Sequence, residues 1–256
     1  MTASTKASAK ELLRAIEEDQ LRLHYQPIVS LQAPDLRICG YEALVRWQHP
    51  DRGLLFPASF LPTPTQVNVI DFKWQKPLFD WVFARACKTA ATLKGEKYIS
   101  VNVSPLQFAE SGFIQQVKKS IDLLNLERRI CLEITEDSIS MRELDAIQQA
   151  LTSLSDSTKI ALDDAWTGSS SLWRISELHG LIDLLKIDKI FMPRDSFDRK
   201  SIAIYRCFIT LADALDLQTV AEGIETQQQV EFCRAIGVTF GQGYYLGKGE
   251  ESIEGT

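Results

Sequence analysis

The chain has 256 residues, 45% of them hydrophobic, which fits a globular core the size of one (β/α)8 barrel. A net charge of −6 argues against a nucleic-acid polymer as partner, which needs clustered Lys and Arg, but leaves room for a small phosphorylated ligand, because bound metal ions can reverse a local field. Residues 1–10 lack an apolar signal core, no apolar run approaches the ~20 residues of a membrane span, and Cys39, Cys87, Cys131, Cys207 and Cys233 form no C-x-x-C pair, so a soluble, cytoplasmic protein with free thiols and no membrane partner is expected.

Leu12, Leu13, Ile16 and Leu21 give a first amphipathic helix. Leu21–Val29 and Arg37–Val45, separated by a turn-rich stretch with Pro34-Asp35, read as a β-hairpin, so the first strands are expected to run antiparallel. Pro50, Pro57, Pro62 and Pro64 mark residues 47–70 as mostly loop. Trp74–Leu93 is a long apolar-periodic helix with Pro77 early in it, where proline is tolerated. Strands then fall near 98–103, 130–135, 159–163, 182–187, 218–222 and 238–241. Helices alternate with them near 111–125, 141–154, 170–178, 199–216 and 225–236. Such alternation implies parallel pairing with helices outside. Six strands plus the hairpin make eight: a TIM-like (β/α)8 barrel with an antiparallel first strand. It is expected to be a single domain over 1–256, with the barrel at about 11–247 between short polar tails.

Acidic or amide residues punctuate this rhythm: Glu42, Asn102, Glu133, Glu136, Asp163, Asp164, Asp188, Glu222, Glu225 and Gln242. Most end a short apolar run, as in Ile130-Cys-Leu-Glu133 and Gln218-Thr-Val-Ala-Glu222. Carboxylates repeated at strand ends point to a site at the barrel mouth. Together with an amide they suit hard divalent cations such as Mg²⁺ or Mn²⁺. Plainer readings exist: Asp163 or Asp164 could cap the following helix, Lys186 could balance Asp183 or Asp188, and Asp188 could stabilise a turn. His24, His49 and His179 are scattered, with no nucleophile beside them for triad chemistry. Trp47, Phe72, Trp74, Phe79 and Trp81 are expected to pack the barrel.

Several strings resemble, in order, the EAL-domain family of cyclic-di-GMP phosphodiesterases. They are Tyr25-Gln26-Pro27-Ile28-Val29, Glu42-Ala43-Leu44 with Val45-Arg46-Trp47, and Asn102-Val103-Ser104. Leu132-Glu133-Ile134-Thr135-Glu136, Leu162-Asp163-Asp164, Lys186-Ile187-Asp188, Ala221-Glu222-Gly223-Ile224-Glu225 and Gln242-Gly243-Tyr244 follow. The resemblance implies hydrolysis of one phosphodiester bond of cyclic di-GMP to the linear dinucleotide, with two divalent cations at the barrel mouth. It implies that Glu42, Asn102, Glu133 and Asp163 hold one cation, and that Asp163 bridges to a second held by Asp164. Lys186 would orient the attacking water, Glu222 would act as base or outer ligand, and Gln242 would fix the water network. Gln26, Leu44 and Arg46 would contact substrate. Glu136, Asp188 and Glu225 would support the site.

The chain departs from the family where Asp-Asp-Phe-Gly-Thr-Gly-Tyr becomes Asp163-Asp164-Ala165-Trp166-Thr167-Gly168-Ser169. In the family this loop links the metal site to a dimer interface. A homodimer is therefore expected, with a regulatory protein partner as a further possibility. The altered loop leaves a second expectation, a weak or inactive cyclic-di-GMP receptor or protein-interaction module. Two smaller departures lie at Thr65–Asn68 and at Gly247-Lys248-Gly249.

Overall fold

The structure, a computed structural model, describes residues 6–61, 74–108, 110–135, 144–165, 171–193 and 197–253. Helix α1 (Ala9–Glu17) starts at Ser8, whose hydroxyl accepts from Glu11 N while the Glu11 carboxylate accepts from Ser8 N. This reciprocal cap satisfies two helix-end donors. The helix stops at Glu17, and Asp19 takes a left-handed φ of 50°. Leu21 therefore opens β1 (Leu21–Ser30) instead of extending the helical stripe, and it is buried from the strand.

β1 pairs antiparallel with β2 (Arg37–His49), Gln26 facing Glu42. The proline-rich stretch expected as loop also holds β3 (Gly53–Leu55), antiparallel to the end of β2, and the short α2 (Pro57–Phe60). Then come α3 (Gln75–Thr92), β4 (Tyr98–Val103), α4 (Pro105–Phe108), α5 (Phe113–Leu124) and β5 (Ile130–Thr135). After them come α6 (Leu144–Leu154), β6 (Lys159–Ala165), α7 (Ser171–Glu177) and β7 (Leu184–Ile187). α8 (Arg199–Ala214), β8 (Gln218–Ala221), α9 (Gln227–Ile236) and β9 (Phe240–Gly241) complete the order. The sheet runs β1-β9-β8-β7-β6-β5-β4-β2-β3, and the β1–β2 pairing closes it, with β3 outside the ring. β1 is antiparallel to both neighbours, while β2–β4 and the pairs from β4 to β9 are parallel.

Alternation along each strand sorts the side chains. Ile28, Tyr98, Cys131, Ala161, Leu184 and Val220 form an apolar layer inside the ring. One pleat nearer the mouth, the same inner face carries Gln26, Glu133, Asp163, Lys186 and Glu222. The outward-facing Ile99, Val101, Leu132, Ile134, Ile160, Leu162 and Leu185 are at most 1% exposed in the core shared with the surrounding helices. Burying each such chain is worth about 1.5–3 kcal/mol. Trp47, Trp74, Phe79 and Trp81 are buried in that core as expected, whereas Phe72 lies outside the described residues. Cys207, in a helix-like run, is exposed on α8.

Candidate active site

Lys186 lies at the centre of the polar layer, 1% exposed. Its Nζ stands 2.7 Å from Glu133 Oε2, 2.8 Å from Glu222 Oε1, 3.0 Å from Asp163 Oδ1 and 3.7 Å from Glu42 Oε2. A buried ammonium is costly unless it is paired. Burial opposes its charge, but Asp163, Glu133, Glu222 and Glu42 hold its pKa well above the ordinary lysine value. The carboxylates respond in turn. Burial pushes Glu133 up to about 8 and Glu222 up to about 7, against the pull of Lys186 and helped by the other acids. Asp183 is engaged elsewhere, with Arg128 and Ile160 N, so it is not Lys186's partner.

Glu42 is buried and held at both oxygens. Asn102 Nδ2 donates to Oε1 at 3.0 Å, and Gln242 Nε2 donates to Oε2 at 2.6 Å. Gln242 also donates to Gln26 Oε1 at 3.1 Å, and Gln26 Nε2 donates to Gly247 O at 3.3 Å. At Gly247 an added Cβ would come within 2.4 Å of Pro27 Cγ. The departure at Gly247-Lys248-Gly249 thus lets the chain lie flat on β1, where Tyr25 and Glu250 exchange backbone hydrogen bonds.

Two consecutive acids in a regular strand would point to opposite faces. Here β6 departs from regularity. Its pairing with β7 steps from Leu162↔Leu185 to Ala165↔Ile187, three residues against two, with Asp164 at a φ of 53°. This bulge re-aims the chain. Carboxylate oxygens of Asp163, Asp164 and Glu222 come within 4.8 Å of one another. Asp163 Oδ1 is buried and, despite its proximity to Nζ, has no aligned hydrogen-bond donor among the described residues. Burial, Asp163 and Asp188 push Asp164 up to about 6. Close oxygens with an open acceptor position form a donor set that a hard divalent cation fits. Both acids lie inside β6, not at the start of α7.

A cavity of about 300 Å³ opens over this layer, lined by Gln26, Glu42, Leu44, Asp163, Lys186, Lys189, Glu222, Gly223, Glu225, Gln242, Gly243 and Tyr244. Leu44 also borders a cavity of about 420 Å³ that includes Asn102, Trp74, Leu78 and Phe79. Arg46, on the same face of β2, is buried over the Phe56 ring at 4.7 Å, with Nη1 donating to Val45 O and Nε without a hydrogen-bond partner among the described residues. It does not line the smaller cavity. Asp188 caps the 3-10 turn Lys189–Phe191 through Ile190 N at 2.7 Å and also faces Asp164. Glu225 is exposed at the cavity wall, its N–H donating to Gln229 Oε1 at 2.7 Å. Glu136 and residues 166–170 of the altered loop lie outside the described residues, as do Thr65–Asn68. Sequence reasoning missed Lys189 and the β6 bulge. A lysine directly after Lys186-Ile187-Asp188 was the available signal for the first; an acidic pair with no intervening residue was the signal for the second.

Residues 9–249 match the family model described as EAL domain. The chain belongs to the EAL-domain family. It is 38% identical over 244 residues to the bifunctional diguanylate cyclase/cyclic di-GMP phosphodiesterase MucR of Pseudomonas aeruginosa, covering 93% of this chain and 34% of MucR. It is 33% identical over 245 residues to the cyclic di-GMP phosphodiesterase NbdA of the same organism, covering 93% of this chain and 30% of NbdA. This EAL domain thus spans about a third of the length of these curated relatives. The solved PaMucR phosphodiesterase in complex with c-di-GMP superposes with a TM-score of 0.80 at 35% identity, over 94% of this chain and 96% of that one.

Proposed function

We propose that this EAL domain hydrolyses one phosphodiester bond of cyclic di-GMP to give the linear dinucleotide, using two divalent cations, Mg²⁺ or Mn²⁺. The observation that carries the reading is the buried Lys186 ringed by Glu42, Glu133, Asp163 and Glu222, at the floor of a cavity open to a small ligand. Glu42, Asn102, Glu133 and Asp163 would hold one cation, and Asp163 and Asp164 the other. Bound cations would supply positive charge to the scissile phosphate and acidity to a water.

The chain's own residues do the rest. Lys186 Nζ orients the attacking water from the centre of the carboxylate ring. Glu222, with Oε1 2.8 Å from Nζ, accepts the water proton as the new P–O bond forms and the ester P–O bond breaks, its electron pair leaving on the ribose oxygen, which takes up a proton from solvent. Gln242 keeps Glu42 and Gln26 in register across the mouth. Gln26, Leu44 and Arg46 contact the nucleotide, and Glu136, Asp188 and Glu225 support the site. The reading extends to residues 1–256 acting as one unit in the cytoplasm, as a homodimer, with a regulatory protein as a further partner. That no helix among the described residues is long and apolar enough to cross a membrane is consistent with it.

The test is metal dependence. Turnover of cyclic di-GMP should vanish with a chelator and return with Mg²⁺ or Mn²⁺. Tight nucleotide binding without turnover in either metal would instead favour the receptor reading that the Ala165-Trp166 departure raises.

A further inference from the structure

The cavity wall presents an imbalance of charge. Glu42, Asp163, Glu222 and Glu225 line it, against Lys186 and Lys189. Lys186 lies at the cavity floor, ringed by four carboxylates at 2.7–3.7 Å. Lys189 is exposed, and it forms no ion pair with any described residue. Its place is nevertheless defined. Asp188 caps the 3-10 turn on which it sits. Across from it, Gly223 has a φ of +69°, and a Cβ there would come within 2.4 Å of Lys189 Cβ. The loop after β8 is therefore built against the lysine's stem, directly beside Glu222, and the stem enters the cavity at a fixed point, its ammonium in no ion pair among the described residues.

From this geometry we infer that Lys189 is a substrate-binding residue, its ammonium meeting a phosphate oxygen of the cyclic dinucleotide outside the carboxylate cluster. The inference rests on the phosphodiesterase reading for its substrate. A cyclic dinucleotide carries two phosphodiesters. When one lies over the acidic cluster, the other brings a negative charge against a wall already rich in carboxylates, and Lys189 is, among the described residues, the cation of that wall outside the cluster. A substrate with a single phosphodiester has no such second charge.

The experiment compares the unmodified protein, Lys189→Gln and Lys189→Arg with two substrates, cyclic di-GMP and bis(p-nitrophenyl) phosphate. For cyclic di-GMP the Gln variant should raise KM about tenfold, the worth of one charge-assisted hydrogen bond, while kcat stays within about twofold. Its KM should also respond less to added salt. Lys189→Arg should restore most of the loss, and kinetics on the single phosphodiester should be unchanged in both variants. An unchanged KM for cyclic di-GMP, or a loss confined to kcat, overturns the assignment. If the unmodified protein fails to hydrolyse either substrate, the phosphodiesterase reading falls by itself. Equilibrium titration with cyclic di-GMP then decides Lys189 by the same tenfold criterion: a weaker Kd in Lys189→Gln supports it, and an equal Kd, or no binding by the unmodified protein, overturns it.

Discussion

At the scale of single residues, the site is a balance of buried charge. Lys186 neutralises acids that would otherwise repel one another in a poorly solvated space. Lys186→Met should therefore destabilise the metal-free protein by about 3 kcal/mol, the cost of leaving buried partners uncompensated. Urea unfolding in chelator reads this directly, and an unchanged midpoint would contradict it. The raised carboxyl pKa values give a second prediction. Glu133, Glu222 and Asp164, at about 8, 7 and 6, hold protons in the metal-free fold that the unfolded chain has already lost. These groups therefore cost stability as pH rises from the ordinary carboxylate range through those values. A divalent cation must displace the same protons. Mg²⁺ or Mn²⁺ binding should tighten between pH 6 and pH 8 with net proton release, measured by calorimetric titration in buffers of different ionisation enthalpy. Binding that is independent of both pH and buffer would count against the metal site.

Individual elements position these charges, and the β6 bulge does most to bring the acidic pair together. Asp164 occupies a left-handed conformation at 53° that glycine adopts without cost. Asp164→Gly should thus keep or raise thermal stability, by up to about 1 kcal/mol, while abolishing metal-dependent turnover. Loss of both together would place Asp164's importance in folding, not chemistry. At the opposite end of the barrel, Arg128 joins three elements. Its guanidinium donates to Ser155 O at 2.9 Å and Thr158 O at 2.6 Å and pairs with Asp183, which accepts from Ile160 N. Arg128→Ala should cost about 2 kcal/mol of stability and leave kcat unchanged at a temperature where the protein stays folded. A comparable fall in kcat would mean that this clamp also shapes the mouth.

The strand order was legible in the sequence because the period of two and the period of three to four alternate cleanly after Tyr98. Glu133, Asp163 and Glu222 were legible for a related reason: a carboxylate at the end of an apolar run breaks the pattern. Four features were not. Leu21 satisfies a helical stripe and a strand equally well, and only the left-handed Asp19 decides between them. β3 lies among prolines that read as loop, and its pairing with β2 is a contact within the sheet. The bulge changes no residue type at all; it shows only in the β6–β7 register. Lys189 was passed over because an exposed lysine after a strand is ordinary until Gly223 is seen against it.

For the whole molecule, closure of β1 onto both β2 and β9 brings residues from opposite ends of the chain to one mouth, Gln26 and Glu42 from the start and Gln242 and Gly247 from the end. That convergence is why substitutions far apart in sequence should affect one activity. The proposed homodimer is likewise a property of the whole molecule. Light scattering should give twice the chain mass of 28.9 kDa, and a monomer at assay concentration would contradict it. Phosphodiesterase activity is decided by chromatography of cyclic di-GMP incubated with the protein and Mg²⁺ or Mn²⁺, beside Glu42→Ala. A linear dinucleotide is expected from the unmodified protein alone. Intact cyclic di-GMP in both samples, with the protein folded, would contradict it.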